Sequence, residues 1–328
     1  MRRSKTAGAA ALLTVLALLL PIAVAPVAAG DPASKGQAEH QRIVNYWTAE
    51  RIAGAKPRDF VRTSDGKFVP KAKPGGNGTG ASWTDGGPVV DRSGKVLFTM
   101  NGSNWVCSGS AVNDTRGTFS LVLTAGHCAY DETNGGFATN WMYVPSFDTS
   151  PTFTCASATY GCWTAVGLVV DSGFAGAGGF NTRATVHDFA MAIVGNGTNG
   201  TQLDASPRGS YPIAYPAITT GDTVHAFGYP AAGRYHGNDL TYCTGPTFND
   251  QYNSNLTWGI ACNMTGGSSG GPWLGGFTQA GGGTLTSLNS YGYRGLNNMY
   301  GPKFNSNTEA VYTQANGSTS NQIVTVTP

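Results

Sequence analysis

Phe119-Ser-Leu-Val-Leu-Thr-Ala-Gly-His-Cys128 is a short apolar run, Phe119–Thr124, that enters a turn of small residues and ends on a histidine beside a cysteine. A run of this length, bounded by a glycine turn, reads as a buried strand. The same rhythm continues on both sides. Further runs are Lys95–Met100, Trp141–Val144, Ala165–Val170, Phe189–Val194, Thr223–Tyr229, Leu240–Cys243, Gly259–Cys262, Pro272–Leu274 and Thr284–Tyr291, each broken by Gly, Asn, Pro or Ser. Short strands with frequent turn signals predict an all-β barrel or sandwich. A Gly-, Asn- and Pro-rich stretch from Gly195 to Tyr215 divides the set in half, so two successive β-domains are expected, 83–205 and 206–328.

Composition agrees with this reading. Only 12% of the 328 residues are charged and 47 are glycine, which suits many turns and few long helices. No repeat of 20 to 50 residues is evident, which argues against a propeller or solenoid. Net charge is +2, and the one tight basic group, Arg2, Arg3 and Lys5, stands at the N-terminus. Nucleic acid is therefore not an expected partner.

That N-terminus has the form of an export signal: positive charge in residues 1–5, an uncharged run from Thr6 to Gly30, and Val27-Ala-Ala29 for cleavage after Ala29. The run is long enough to span a bilayer, but Pro21, Pro26 and the small-residue tail favour removal over a retained anchor. Residues 30–82 are polar, with one helix expected over Ala38–Ala55, where Ile43, Val44 and Trp47 share a face. Pro70-Lys-Ala-Lys-Pro-Gly-Gly-Asn-Gly-Thr-Gly80 has linker composition. Together these predict a pro-segment and cleavable hinge; a disordered tail has the same composition. Six cysteines behind an export signal imply disulfides. No pair has the tight C-x-x-C spacing of a zinc ribbon, and the local set Cys107–Cys128, Cys155–Cys162 and Cys243–Cys262 is expected, with no metal.

Three motifs carry chemistry, and their order matters. Leu123-Thr-Ala-Gly-His-Cys128 presents His127 in a turn that a disulfide from Cys128 to Cys107 would hold still. Asp188 precedes the apolar run Phe189–Val194, where a carboxylate is costly to bury without a partner such as a histidine Nδ1–H. Thr265-Gly-Gly-Ser-Ser-Gly-Gly-Pro272 flanks Ser269 with glycines that permit unusual backbone angles. The amides of Gly267 and Ser269 could then converge on one oxygen as an oxyanion hole. Gly267-Ser-Ser-Gly-Gly271 also satisfies the G-x-S-x-G elbow of α/β-hydrolase esterases, but their histidine follows the serine. None of His40, His127, His187, His225 and His236 lies after Ser269.

Taken in order, Thr124-Ala-Gly-His-Cys128, Asp188 and Gly267-Ser-Ser-Gly-Gly-Pro272 resemble the chymotrypsin/trypsin-like serine peptidases, and more narrowly the secreted bacterial branch that includes glutamyl endopeptidase-like enzymes. The resemblance spans roughly residues 94–312. It implies two six-stranded antiparallel β-barrels with the site in the cleft between them, His127 and Asp188 from the first and Ser269 from the second. It also implies an extracellular, monomeric endopeptidase acting on protein or peptide through an acyl-enzyme, without cofactor. The other class considered is a catalytically silent binding module on the same fold.

Two departures qualify the likeness to trypsin. Ser268 stands where trypsin-like zymogens carry an Asp that pairs with the new N-terminal amine, so activation by that ion pair is not expected. Asn263 falls where trypsin has its acidic pocket floor, which argues against a preference for Arg or Lys. Asn289 stands where glutamate-specific relatives carry a histidine, and nothing in the sequence places the cations that could replace it, Arg294 or Lys303, in the pocket, so an uncharged side chain is the expected preference and Glu the alternative. Asn263, Asn289, Ser290 and Gly292 are the expected pocket residues, with Ser290 near Asp188.

Overall fold

The computed structural model describes Met1 and residues 32–70, 80–148, 153–205, 208–216 and 218–326. Apart from Met1, the expected signal peptide lies outside these, as do the linker residues 71–79. Six strands close a first antiparallel barrel. Ser93–Met100 pairs with Ser103–Val112 on one side and Thr139–Pro145 on the other. The ladder continues through Trp163–Asp171, Ala190–Val194 and Ser120–Thr124, then returns to Ser103–Val112 through Ser110 opposite Leu123. Closure removes the exposed sheet edges that an open set of apolar strands would present. Its strands bury large side chains such as Phe98, Trp141 and Trp163.

In the second half, Thr284–Leu288, Pro272–Gly275, Thr223–Gly228 and Thr241–Pro246 form one antiparallel sheet, which Ala81–Ser82 extends. Phe248–Asn249, Thr257–Ala261, Asn298–Pro302 and Tyr291–Tyr293 form another. The Cys243–Cys262 disulfide ties the two sheets together. Val224, Ala226, Ile260, Met264, Trp273 and Met299 are buried in one cluster within this half. The two other expected disulfides, Cys107–Cys128 and Cys155–Cys162, are also formed.

Each predicted run falls wholly or partly on a strand, but two of the strands that are five residues or longer have no counterpart among them, nor do several of two or three residues. Ser103-Asn-Trp-Val-Cys-Ser-Gly-Ser-Ala-Val112 carries too many small polar residues to alternate visibly, yet it is the longest strand of the barrel. Asn298–Pro302 ends in Gly and Pro and reads as a turn. The single expected helix is corrected to two, Pro32–Tyr46 and Ala49–Gly54, because Thr48 caps the second through a side-chain bond from the Arg51 amide. Ile43 and Trp47 are buried, as the shared face requires. No helix among the described residues is long and apolar enough to cross a membrane.

Both termini of the described fold return to the body. The helix Ser306–Gly317 packs on the strands Trp163–Asp171 and Ala190–Val194, and Gln322–Val324 adds in parallel to the former. Near the other end, Lys56–Pro57 pairs in parallel with Trp105–Val106, while Phe60–Arg62 pairs in parallel with Tyr291–Tyr293 and antiparallel with Phe68–Pro70. One short stretch thus touches both halves.

Candidate active site

The Ser120–Thr124 strand leads into the single turn Gly126–Cys128, which closes with the Cys128 amide on the Ala125 carbonyl. The Cys107–Cys128 bond fixes that turn to the neighbouring strand. His127 therefore sits at the rim of the barrel with no exposed surface. Asp188, just before the Ala190–Val194 strand, meets it twice: Oδ1 accepts the His127 backbone N–H at 2.8 Å and Oδ2 lies 2.8 Å from Nδ1. Ser290 Oγ donates a third bond to Oδ2. A buried carboxylate with three donors is fully compensated, and the pair fixes the imidazole so that Nε2 is the free nitrogen. Nε2 is buried with no hydrogen-bond partner among the described residues.

Ser269 comes from the loop that precedes Pro272–Gly275. Gly267 has φ +99° and Gly270 has φ +82°, values that favour glycine. A Cβ on Gly270 would also strike Thr124 Oγ1 and the Ser108 carbonyl. Ser108 pins the loop to the first barrel: its amide donates to the Ser269 carbonyl at 2.7 Å and its Oγ to the Gly267 carbonyl at 2.9 Å. Within the loop the amides of Ser268, Gly270 and Gly271 go to Thr265, Asn289 and Ser268. The amides of Gly267 and Ser269 take no part in that network.

Ser290 joins the two halves of the site, since its carbonyl also lies 3.5 Å from Ser269 Oγ. Asn289 has a different place from the pocket wall expected of it. Its Oδ1 accepts from the Trp273 indole and its Nδ2 donates to the carbonyls of Phe227 and Ser268, so the side chain braces the loop from within. Gly292 lies on the strand edge opposite Val61. Asn263 is buried, and its Oδ1 accepts from the Gly80 amide at 3.0 Å, the Tyr235 hydroxyl at 2.9 Å and Arg234 at 3.4 Å. Arg234 is thus a cation set against Asn263. Sequence reasoning missed it, because nothing local links it to a residue 29 positions later. Of the cations that reasoning offered, Lys303 bonds Asn249 and covers the Trp258 ring, and Arg294 lines a surface cavity with Arg62 and Tyr252.

His187, next to Asp188 in sequence, turns to Asp171 at 3.1 Å. The sulfurs nearest His127 are joined in the Cys107–Cys128 disulfide and cannot ligate a metal. Across the site runs the N-terminal stretch. Ser269 Oγ donates to Asp59 Oδ1 at 3.4 Å. The Phe60 ring stands edge-on to His127 at 5.4 Å and stacks on Phe180 at 3.9 Å. Arg58 donates to the His127 carbonyl at 2.5 Å and to Glu132 at 2.8 Å.

No family model and no curated protein sequence matches the chain. Solved structures do. Protease Anisep from Arthrobacter nicotinovorans is 37% identical with a TM-score of 0.61, over 73% of this chain and 100% of that one. The thermostable serine protease AL20, from an extremophilic microorganism, is 36% identical with a TM-score of 0.60, over 70% of this chain and 99% of that one. A Glu endopeptidase bound to MPD shares the fold at 20% identity and a TM-score of 0.56, over 74% of this chain and 99% of that one.

Proposed function

The chain belongs to the bacterial chymotrypsin/trypsin-like serine peptidases, and from that premise we propose that it is a secreted endopeptidase working through Ser269, His127 and Asp188. The observation that carries the reading is the buried His127–Asp188 pair at 2.8 Å, with Ser290 reaching from Asp188 to the carbonyl contact with Ser269. In the reaction, His127 Nε2 takes the Ser269 proton as Oγ attacks a peptide carbonyl, and returns it to the leaving amine. Asp188 stabilises the imidazolium. The oxygen that becomes negative is received by the amides of Gly267 and Ser269, the two that the loop leaves unspent. Water then repeats the cycle on the acyl-enzyme. Three disulfides suit an extracellular product.

At the pocket, Arg234 beside Asn263 disfavours a cationic side chain and favours an acidic one over a neutral one. Peptide hydrolysis by the activated protein tests the core of the proposal. Ser269→Ala should lower kcat by about 10⁶-fold and abolish labelling by an organophosphate. Undiminished hydrolysis would exclude Ser269 as nucleophile, and an unreactive wild type would leave a silent module.

A further inference from the structure

We propose that residues 56–62 lie across the cleft in the direction opposite to a substrate, with Asp59 set against Ser269, and so hold the intact protein latent without being cut. The inference rests on the peptidase reading above and names how that site is regulated.

Direction follows from the pairing. With Asn263, Ser290 and Gly292 as the pocket, as the peptidase reading has it, the substrate residue that supplies the attacked carbonyl would send its side chain in beside Ser290 and Gly292. Substrate residues before the cut therefore run along Ser290–Gly292, and those after it run past Val106. Here the assignment is inverted. Lys56–Pro57, the N-terminal part, lies along Trp105–Val106, and Phe60–Arg62, the C-terminal part, lies along Tyr291–Tyr293. Both pairings are made through the backbone, so the stretch is held like an added strand on each rim.

At the crossing point the group facing Ser269 is a carboxylate instead of a peptide carbonyl. A carboxylate is the least electrophilic of acyl groups and repels the alkoxide that attack would require. It also accepts the Oγ–H at 3.4 Å, the proton that His127 must receive, while Nε2 is left with no partner among the described residues. Phe60 covers the imidazole edge-on, and Arg58 anchors the preceding residue on the His127 carbonyl and on Glu132. A Cβ on Gly266 would stand 2.9 Å from Pro57 and 3.0 Å from Asp59, which shows how closely the stretch is seated on the oxyanion loop. The ligand class is thus an extended peptide with a cation, a carboxylate and an aromatic ring in succession, Arg58-Asp-Phe60.

The test compares organophosphate labelling of Ser269 in the intact protein with the same protein cut in the linker at Lys71 or Lys73 by a Lys-specific endopeptidase and diluted. Labelling should be at least about tenfold faster after cutting. In the uncut protein, Asp59→Asn and Phe60→Ala should each speed labelling several-fold, and mass spectrometry should find the Arg58–Asp59 and Asp59–Phe60 bonds whole after long incubation. Equal labelling before and after cutting would overturn the proposal, as would self-cleavage at either of those bonds. If a variant fails to fold, the comparison of intact with cut wild type still decides. A cut, dissociated protein that never labels at Ser269 overturns the peptidase reading itself.

Discussion

Asp188 owes its standing to three donors that no local pattern announces together. The His127 amide, the His127 ring and the Ser290 hydroxyl converge on it from positions 61 and 102 residues away. Replacing it with Asn keeps the shape but offers Nδ1 a donor where it needs an acceptor, which selects the wrong tautomer. Steady-state kinetics on Asp188→Asn should show kcat lower by about 10⁴-fold with KM little changed. Legibility in the sequence followed the same division. The loop at Ser269 and the turn at His127 were readable because their requirements are local: glycines around the one, a strand, turn and cysteine around the other. Asn289, Arg234 and Asp59 were not, because their roles come from contacts 16 to 210 residues distant.

Lys95 shows the same limit and carries a pH signature. It lies on a barrel strand opposite Ser108, is buried, and has its ammonium 3.8 Å from the Phe147 ring. Burial pushes its pKa down from 10.5 to about 7. Below pH 7 folded and unfolded states both carry the proton, and the full cost of burying the charge is present. Between pH 7 and about 10.5 the folded amine is neutral while the unfolded one is charged, so unfolding takes up a proton and stability rises with pH. The slope from this residue approaches about 1.4 kcal/mol per pH unit. Lys95→Met should remove that rise and stabilise the protein most below pH 7, as measured by denaturant melts across pH 6 to 10. Unchanged slopes would show that the amine stays charged in the fold.

Among the elements, strand rhythm was legible where apolar residues alternate or run together, and not where small residues dominate. Ser103–Val112 makes the point: its Ser108 bonds the neighbouring loop at both Ser269 and Gly267, while a Cβ on its Gly109 would crowd Leu123, Val122 and Val96 of the adjacent strands. The N-terminal helix was visible in its apolar face, but its break at Thr48 depends on a cap that a periodic pattern does not register. The turn bearing His127 is only three residues long and would be mobile without its anchor. Cys107 and Cys128 are 21 residues apart, and a loop of that size implies about 3 kcal/mol of stabilisation from backbone entropy. Replacing both with Ala should lower the denaturant midpoint accordingly and reduce kcat more than the stability loss explains at saturating substrate. Activity that survived intact would assign the turn's rigidity to the Asp188 contacts alone.

The two halves have to hold His127 and Ser269 in register, and the protein arranges this from its far end as well as through Ser108 and Ser290. After the last strand of the second half, the helix Ser306–Gly317 crosses back to the first barrel, where Arg116 donates to the carbonyls of Ala315 and Ser318. Asn321 caps the Leu168 amide at 2.9 Å, and Gln322–Val324 pairs with Val169–Asp171. Ile323 is 47% exposed, so this clasp works through backbone pairing more than through apolar burial. Truncation after Ser318 removes the strand and the Asn321 bond but leaves the helix. With net hydrogen bonds worth about 1 kcal/mol each, the loss is about 2–3 kcal/mol, and Tm in calorimetry should fall by roughly 3–5 °C. Because the halves carry different members of the proposed triad, the truncated protein should also lose kcat before it unfolds, with a steeper decline on warming than the intact protein. Superimposable activity profiles below Tm would place the alignment of the halves in the Ser108 and Ser290 contacts alone.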